Sequence, residues 1–321
     1  MTGRRFTRLL STIAASLLPL LAGAQSFPSS PVRLVVGYPP GGGTDTTARV
    51  VAQKLGEILG QQVVVENKPG ATGIIAAQYV AKAKPDGYTL LMLTANDTAL
   101  PALNSNLPFD LVRDFSPVSL LTIGPMVLVV NPTLPVANVQ ELIALGRTRT
   151  LTFGSSGIGG APHLAGELFG SMAKVKQLHV PYKGGGDLVT AVMSGQIDMC
   201  FTSVASAVGL IEANKLKAIA VSSSKRVPAL PSVPSLDESG LTGYNYSSWY
   251  GIVAPAGVPA PIIAQLQENI AKAIANPEIG SSLNKQGFVP QSNTPAQFAA
   301  MIEREIALNA SLAKQAGVQP Q

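Results

Sequence analysis

Three glycine-rich turns contain the residues of this sequence whose types and spacing could do chemistry. Residues 38–45 read YPPGGGTD, residues 154–163 read GSSGIGGAPH, and residues 182–187 read YKGGGD. Each turn stands between a predicted strand and a predicted helix. Glycine lets the backbone come close to a ligand there, and the first N–H groups of the helix carry partial positive charge. Such turns can hold a small anion through main-chain groups.

The candidate ligand-binding residues lie in these turns and at the ends of neighbouring strands. They are Tyr38, Pro40, Gly41, Gly42, Gly43, Asp45, Thr94, Asn96, Ser155, Ser156, Gly157, Gly160, His163, Tyr182, Gly184, Gly185, Thr202 and Ser203. Asp45 has two interpretations. We favour the interpretation that Asp45, like Thr44, is a good N-cap for a helix over 46–59. The alternative is that Asp45 contacts a ligand directly, above all a ligand with an amino group. For Tyr182 we favour ligand contact over a plain surface turn.

Other site chemistries fit this sequence poorly. Neither the P-loop pattern nor G-x-G-x-x-G occurs at the glycine-rich turns. The hydrolase pattern G-x-S-x-G fails around Ser156, because position 158 is Ile, and only His163 lies near as a base. Two histidines and one cysteine, far apart in sequence, form no recognisable metal spacing. We interpret His179 as a structural histidine within an apolar strand, and Cys200 as a buried apolar residue. No catalytic residue, metal or cofactor is predicted.

The beginning of the chain predicts export. Residues 1–24 contain three arginines, an apolar stretch over 9–21 and the small residues Ala22-Gly23-Ala24, which is typical of a secretory signal peptide cleaved after Ala24. Without these arginines the formal net charge of +5 falls to +2. No Lys/Arg cluster favours nucleic acid as a partner, and no later apolar run is long enough for a spanning helix. We expect a periplasmic protein, with a monomer as the default state.

Strands and helices alternate along the rest of the chain, which predicts an α/β fold with mostly parallel sheets. The predicted strands are 32–37, 62–66, 88–94, 150–154, 177–181, 197–202, 216–222 and 248–254. The predicted helices are 45–59, 72–83, 138–146, 162–173, 187–194, 205–213, 259–275, 277–286 and 295–316.

A long apolar run, residues 118–130, is interrupted by Gly124-Pro125 and reads as a strand that leaves one lobe and enters another. This predicts a first lobe of residues 25–124 plus 227–321 and a second lobe of residues 125–226. Open α/β sheets bind ligands at the carboxyl ends of their strands, so the turns should meet in a cleft between the lobes. Trp249 fits either a cover for this cleft or the core of the hinge.

Six segments also resemble a known family, the Bug family of extracytoplasmic solute receptors, which serve tripartite tricarboxylate transporters. They are VVGYPPGGGTD at 35–45, ENKPGA at 66–71, AKPDGYTL at 83–90, VPYKGG at 180–185, SGQID at 194–198 and WYGIVAPAG at 249–257. They occur in order over essentially the whole mature chain. The resemblance implies a two-lobe periplasmic-binding-protein type II fold with a cleft between the lobes. It also implies capture of small carboxylates for inner-membrane permease subunits, without a cofactor.

The resemblance further implies which turns hold the ligand carboxylate, partly through ordered water. Residues 40–43 would do so on one side, and residues 155–160 and 182–185 on the other. Two positions depart from the family pattern: Asp97 stands in a segment that usually contains His, and Asp187 replaces a frequent Pro. Both are expected to bring acid towards the cleft and could favour a ligand with an amine or hydroxyl. A solute-sensing adaptor for a membrane receptor, or an exported hydrolase, remain as alternatives.

Overall fold

The computed structural model describes residues 27–157, 160–182 and 185–315. The strands are β1 Val32–Val36, β2 Val63–Asn67, β3 Thr89–Thr94, β4 Phe115–Val130, β5 Leu151–Ser155, β6 Gln177–Pro181, β7 Met199–Ser203, β8 Lys217–Val221, β9 Ser247–Pro255 and β10 Val289–Pro290. The helices are α1 Gly43–Leu59, α2 Ile74–Ala81, α3 Leu100–Leu103, α4 Val139–Thr148, α5 Ala161–Ala173, α6 Gly185–Met193, α7 Val204–Glu212, α8 Ala260–Ile274, α9 Pro277–Lys285 and α10 Pro295–Gln315. Short 3₁₀ helices cover Ala71–Gly73 and Ala95–Ala99.

One long strand joins two sheets. The strand order is β2-β1-β3-β9-β4-β7-β5-β6, with β8 and β10 also paired to β4. The outer strands pair in parallel, β1 with β2 and β3, and β5 with β6 and β7. The pairings of β4 and β9 are antiparallel, so the sheets are mixed. Residues 115–125 of β4 pair with β9, and residues 126–130 pair with β7 and β8. The apolar run at 118–130 therefore does pass from one sheet to the other.

Apolar side chains cover both faces of each sheet. The cluster that includes Leu34, Val51 and Ile252 packs α1 and α8 on one face of the first sheet. A second cluster packs α2 and α10 on the other face. Two further clusters enclose the second sheet. In one of them Cys200 is fully buried, as predicted, and burial raises the pKa of its thiol.

The segment 227–246 packs against the second sheet. Val227 belongs to the cluster formed by α6, α7 and that sheet. The amide of Leu236 donates to Val221 O at 3.0 Å, and the hydroxyl of Tyr244 donates to Ala165 O at 2.8 Å. The sequence analysis assigned the chain from residue 227 onwards to the first lobe. These contacts show that residues 227–246 pack against the second sheet, up to the start of β9.

Trp249 belongs to the core beside α10. It is fully buried, meets Phe298 edge-on with ring centroids 5.4 Å apart, and donates from Nε1 to Glu305 Oε2 at 2.6 Å. These contacts decide between the two interpretations of Trp249 in favour of the core. Burial raises the pKa of Glu305 to about 7. Across the described ranges, no helix combines the length and apolar character needed to cross a bilayer.

Candidate functional site

The first glycine-rich turn is anchored by the buried carboxylate of Asp45. Asp45 Oδ2 accepts from Gly41 N at 2.9 Å and from Arg49 Nε at 3.0 Å, and Oδ1 accepts from Asn67 Nδ2 at 2.9 Å. Asn67 Nδ2 also donates to Tyr38 O at 3.0 Å. The hydrogen bond from Arg49 is the main cause that lowers the pKa of Asp45 to about 2. The carboxylate therefore holds both ends of the turn from beneath.

The predicted N-cap role of Thr44 and Asp45 is wrong. Helix α1 begins at Gly43, and Gly42 is its N-cap, with no side-chain capping hydrogen bond. Thr44 and Asp45 are therefore already inside the helix, and the Asp45 carboxylate reaches back to Gly41 N instead of standing at the N-cap position. Asp45 is only 2% exposed and its oxygens face Gly41, Arg49 and Asn67. Asp45 thus supports the turn, which removes the reason to expect direct contact with a ligand.

Residues 39–43 are exposed, and the main chain there is open to a ligand. Gly41 has φ +86°, a conformation that favours glycine. Gly42 has φ −76°, and a Cβ at Gly42 would meet only Pro39 O, at 3.7 Å. Gly42 therefore has neither a backbone conformation nor a close neighbour that requires glycine. The exposed amides and the positive helix end suit an anion.

A hydroxyl-rich group lies beside this turn. The hydroxyl of Tyr38 is 3.2 Å from Thr94 Oγ1, and Asn96 lies next to it. Asp97 was expected to bring acid towards the cleft, but its carboxylate is turned inwards. It is 4% exposed, and its Oδ2 accepts from Thr94 N at 2.6 Å and from Thr94 Oγ1 at 2.9 Å. Burial is the main cause that raises the pKa of Asp97 to about 7.

The second glycine-rich turn follows β5. Ser155 Oγ donates to Gly157 O at 2.8 Å and accepts from Gly157 N at 3.3 Å. Gly157 has φ +134° with open space around it, and Ser156 is exposed. Helix α5 starts after Gly160, again with no side chain bonded to its first turn. Residues 158 and 159 of this turn lie outside the described residues. Like the first turn, the described part is a glycine-rich segment before a helix without a side-chain cap, although only Ser156 in it is exposed.

Two histidines pack beneath this second turn. His179 Nε2 is 2.7 Å from Ser155 Oγ, and the rings of His163 and His179 stack with centroids 3.9 Å apart. His163 Nε2 is 3.5 Å from Glu167 Oε1. Burial first and His163 second lower the pKa of His179 to about 4, so His179 is neutral at pH 7. His163 is 2% exposed, so it is buried beneath the turn.

The pair Ser155–His179 resembles a nucleophile and its base, which sequence reasoning did not find. The single proton of Ser155 points to Gly157 O, because a carbonyl can only accept. His179 Nε2 must then donate to Ser155 Oγ, the reverse of what a general base does. Ser155 is also 0% exposed. The geometry fixes the turn and does not prepare a nucleophile.

The remaining candidates lie at neighbouring positions of the second sheet. Tyr182 is partly exposed, and its amide donates to Ser155 O at 2.8 Å. Gly184 lies outside the described residues, and Gly185 begins α6. Thr202 is buried, while Ser203 is the N-cap of α7 and accepts from Ser206 N at 3.2 Å. Asp187 is exposed in the first turn of α6.

The strand register sets the spacing between the two groups of candidates. Thr94 pairs with Tyr250, and Tyr250 with Thr122 of β4. Further along β4, Met126 pairs with Ser203. Thr122 and Met126 are four positions apart in the sequence, and a strand rises about 3.3 Å per residue, so the two groups lie about 13 Å apart along β4. This spacing leaves room for a small molecule between them.

Sequence comparison identifies the family. Residues 47–318 match the family described as tripartite tricarboxylate transporter family receptor. The chain belongs to this receptor family. BugT of Bordetella pertussis is 33% identical over 319 residues, an alignment that covers 97% of this chain and 98% of BugT. The resemblance to the Bug family is therefore confirmed.

Solved structures of related proteins show the same fold. One from Rhodopseudomonas palustris, determined with adipate, is 34% identical with a TM-score of 0.74 and covers 92% of this chain and all of its own. MatC from the same organism, with bound malate, is 32% identical with a TM-score of 0.70, covering 89% of this chain and 99% of MatC. The predicted two-lobe fold of the periplasmic-binding-protein type is confirmed.

Several residues of the site were not singled out as candidates. Asn67 lies in the segment ENKPGA and bonds Asp45 of the segment YPPGGGTD. The hydroxyl of Tyr250, from the segment WYG, lies 3.2 Å from where a Cβ on Gly43 would be. These residues do occur in the segments that carry the family resemblance, which was the available signal. His179 lies outside these segments. It stands in an apolar strand, and nothing in the sequence around it indicates its contact with Ser155.

Proposed function

We propose that this protein is a periplasmic receptor that captures a small carboxylate and passes it to a tripartite tricarboxylate-type permease. The observation that carries the proposal is the exposed glycine-rich turn before α1, held from below by Asp45 and left without a side-chain cap. A similar turn precedes α5 on the second sheet. Membership of the receptor family, and relatives determined with adipate and malate, support a carboxylate as the ligand.

The proposed binding mechanism uses main-chain amides. The N–H groups of residues 42–43 and those around 156–160 would donate to the carboxylate oxygens, assisted by the positive ends of α1 and α5. Because these donors carry only partial charges, no arginine has to lose its hydration to meet the ligand. Arg49, which lies beside the first turn, already pairs with Asp45. Closure of the two lobes would then exclude water from the ligand.

We propose lobe boundaries that follow the packing of the chain. The first lobe takes residues 25–124 and the chain from β9 onwards, as the sequence suggested except for its return point. The second lobe takes residues 125–246, because 227–246 packs on the second sheet. β4 and β9 would form the hinge. Tyr38 and Asn96 would serve the ligand from the first lobe, with Thr94 behind Tyr38, and Tyr182, Gly184, Gly185, Thr202 and Ser203 would serve it from the second.

Export and assembly complete the proposal. Residues 1–24 would direct secretion and be removed after Ala24, and the mature protein would act as a monomer in the periplasm. Intact-mass spectrometry of protein recovered from the periplasmic fraction would show a chain that begins at Gln25. A mature protein that retains residues 1–24 would contradict this part of the proposal.

Calorimetric titration of the mature protein tests the central function. We expect at least one of a panel of dicarboxylates, amino acids and aromatic acids to bind with a Kd between roughly micromolar and nanomolar. Silence across the whole panel would count against the proposal. Turnover of an ester or carboxylate that is lost in Ser156→Ala would replace it with the hydrolase alternative.

A further inference from the structure

A chain of three polar groups leads from the interior of the first sheet to the proposed ligand. It begins at the buried carboxyl of Asp97, passes through the buried hydroxyl of Thr94 and ends at the hydroxyl of Tyr38. Tyr38 is partly exposed, whereas Thr94 and Asp97 are 2% and 4% exposed. Tyr38 is therefore the member of the chain that a ligand can reach.

Counting protons fixes the direction of this chain. Ionised Asp97 can only accept, so the single hydroxyl proton of Thr94 goes to Asp97 Oδ2, 2.9 Å away. Thr94 Oγ1 can then only accept from Tyr38, whose hydroxyl is 3.2 Å away. The proton of Tyr38 is thus turned towards Thr94. Asn96 also hydrogen-bonds this hydroxyl, so what Tyr38 offers outwards is the remaining lone-pair capacity of its oxygen.

An outward lone pair changes which ligands fit. A carboxylate or carbonyl oxygen against the Tyr38 oxygen would place two acceptors together, which is unfavourable. A hydroxyl or ammonium group at the same place would donate to it, with the carboxylate of Asp97 behind the chain adding favourable charge. This polarity is the opposite of that of the glycine-rich turns, which offer donors.

We propose that the site selects carboxylates that also carry a hydroxyl or amino group, with the donor placed against Tyr38 and the carboxylate on the glycine-rich turns. The inference rests on the proposed receptor function and narrows its ligand class to hydroxy acids and amino acids. Asn96, next to the Tyr38 hydroxyl, is the neighbouring polar group of this subsite.

Protonation of Asp97 reverses the chain. Burial raises the pKa of Asp97 to about 7, so both forms occur near neutral pH. A protonated carboxyl can donate to Thr94, Thr94 can then donate to Tyr38, and Tyr38 donates outwards. The ionisable groups on elements packed around this site are the hydroxyls of Tyr38 and Tyr250 and, on α10, Glu305, which lies beside Thr98 and is influenced by Arg304. The preference for a donor-bearing ligand should therefore weaken as the pH falls.

Matched pairs of acids test the inference by calorimetry. Malate against succinate, and lactate against propionate, differ only by one hydroxyl. We expect wild type at pH 8.5 to bind the hydroxy acid of a pair about tenfold more tightly, the worth of one good hydrogen bond. In Tyr38→Phe the ratio of the two Kd values of a pair should be near one. Tyr79→Phe, which removes a hydroxyl bonded to Arg33 outside the site, should leave it unchanged.

A second variant separates charge from polarity. In Asp97→Asn the amide oxygen still accepts from Thr94, so part of the selectivity should remain, but the wild-type decrease in the ratio between pH 8.5 and pH 6 should disappear. Thermal melts check that both variants fold. If acids bind but the ratio is the same in wild type and Tyr38→Phe, the inference is overturned while the receptor function stands. If no acid binds to wild type, the receptor function fails and this inference fails with it.

Discussion

Replacing Asp45 by Asn tests the role assigned to the buried carboxylate under the first turn. The change keeps the size of the side chain. It removes the negative charge of the carboxylate that accepts hydrogen bonds from Gly41, Arg49 and Asn67. The pKa of Asp45 lies at about 2, below the usual value of 3.8, which corresponds to about 2 kcal/mol in favour of the ionised form. Because the side chain of Arg49 is 52% exposed and its charge is screened, we expect the variant to lose about 1–2 kcal/mol of stability at neutral pH.

The pH dependence gives the sign of this effect. The folded pKa of Asp45 is lowered, so its stabilisation is complete above the unfolded pKa and is lost as the pH falls towards 2. Urea unfolding should show a constant difference between wild type and Asp45→Asn at pH 7 and pH 5, and a smaller one at pH 3. Asp187→Asn, an exposed acid in the first turn of α6, is the matched control and should change stability by only a few tenths of a kcal/mol. Equal stability of wild type and Asp45→Asn at pH 7, or an undiminished difference at pH 3, would refute the anchoring role.

Three further predictions concern the turns and the helices around them. Gly42→Val should weaken carboxylate binding at least about tenfold with little change in melting temperature, since its Cβ meets only Pro39 O at 3.7 Å. Gly209→Val, at an open helical position, controls for the added side chain, and equal loss of folding and binding in Gly42→Val would show a structural glycine. Because the pKa of His179 is lower in the folded than in the unfolded protein, the free energy of unfolding measured in urea should decrease as the pH falls from about 6.5 to about 4. His179→Phe should flatten this decrease, and an unchanged decrease would show that other groups cause it. Asn276→Ala should destabilise the protein by about 1 kcal/mol by urea unfolding, because Asn276 caps α9 through Glu278 N and Ile279 N; a loss under a few tenths would contradict the cap.

The sequence predicted most of the fold because hydrophobic periodicity is a local property. All of the predicted strands and helices occur, with ends shifted by at most three residues. The 3₁₀ helix over 95–99 and helix α3 were missed, since five and four residues hold too little periodicity. The packing of 227–246 on the second sheet was missed as well. That stretch of Pro, Ser and Gly has no period, and only its tertiary contacts place it.

The candidate site was less predictable, because side-chain roles depend on neighbours far along the chain. Asp45 was interpreted as a cap since its partner Asn67 is 22 positions away. Asp97 was expected near the ligand, but it is turned inwards by Thr94. The bond between Ser155 and His179 joins two strands and has no local signal. The first two glycine-rich turns were found correctly as the connections from β1 to α1 and from β5 to α5, and their contact with a ligand stays a prediction.

A crystal structure of the mature protein with a bound carboxylate tests the central claim most directly. We predict carboxylate oxygens at about 2.7–3.2 Å from main-chain N–H groups or ordered waters at 42–43 and at 156–160, between the two sheets and away from any arginine or lysine side chain. A ligand outside this cleft, or one held mainly by an ion pair with an arginine or lysine, would contradict the claim that main-chain amides hold the ligand.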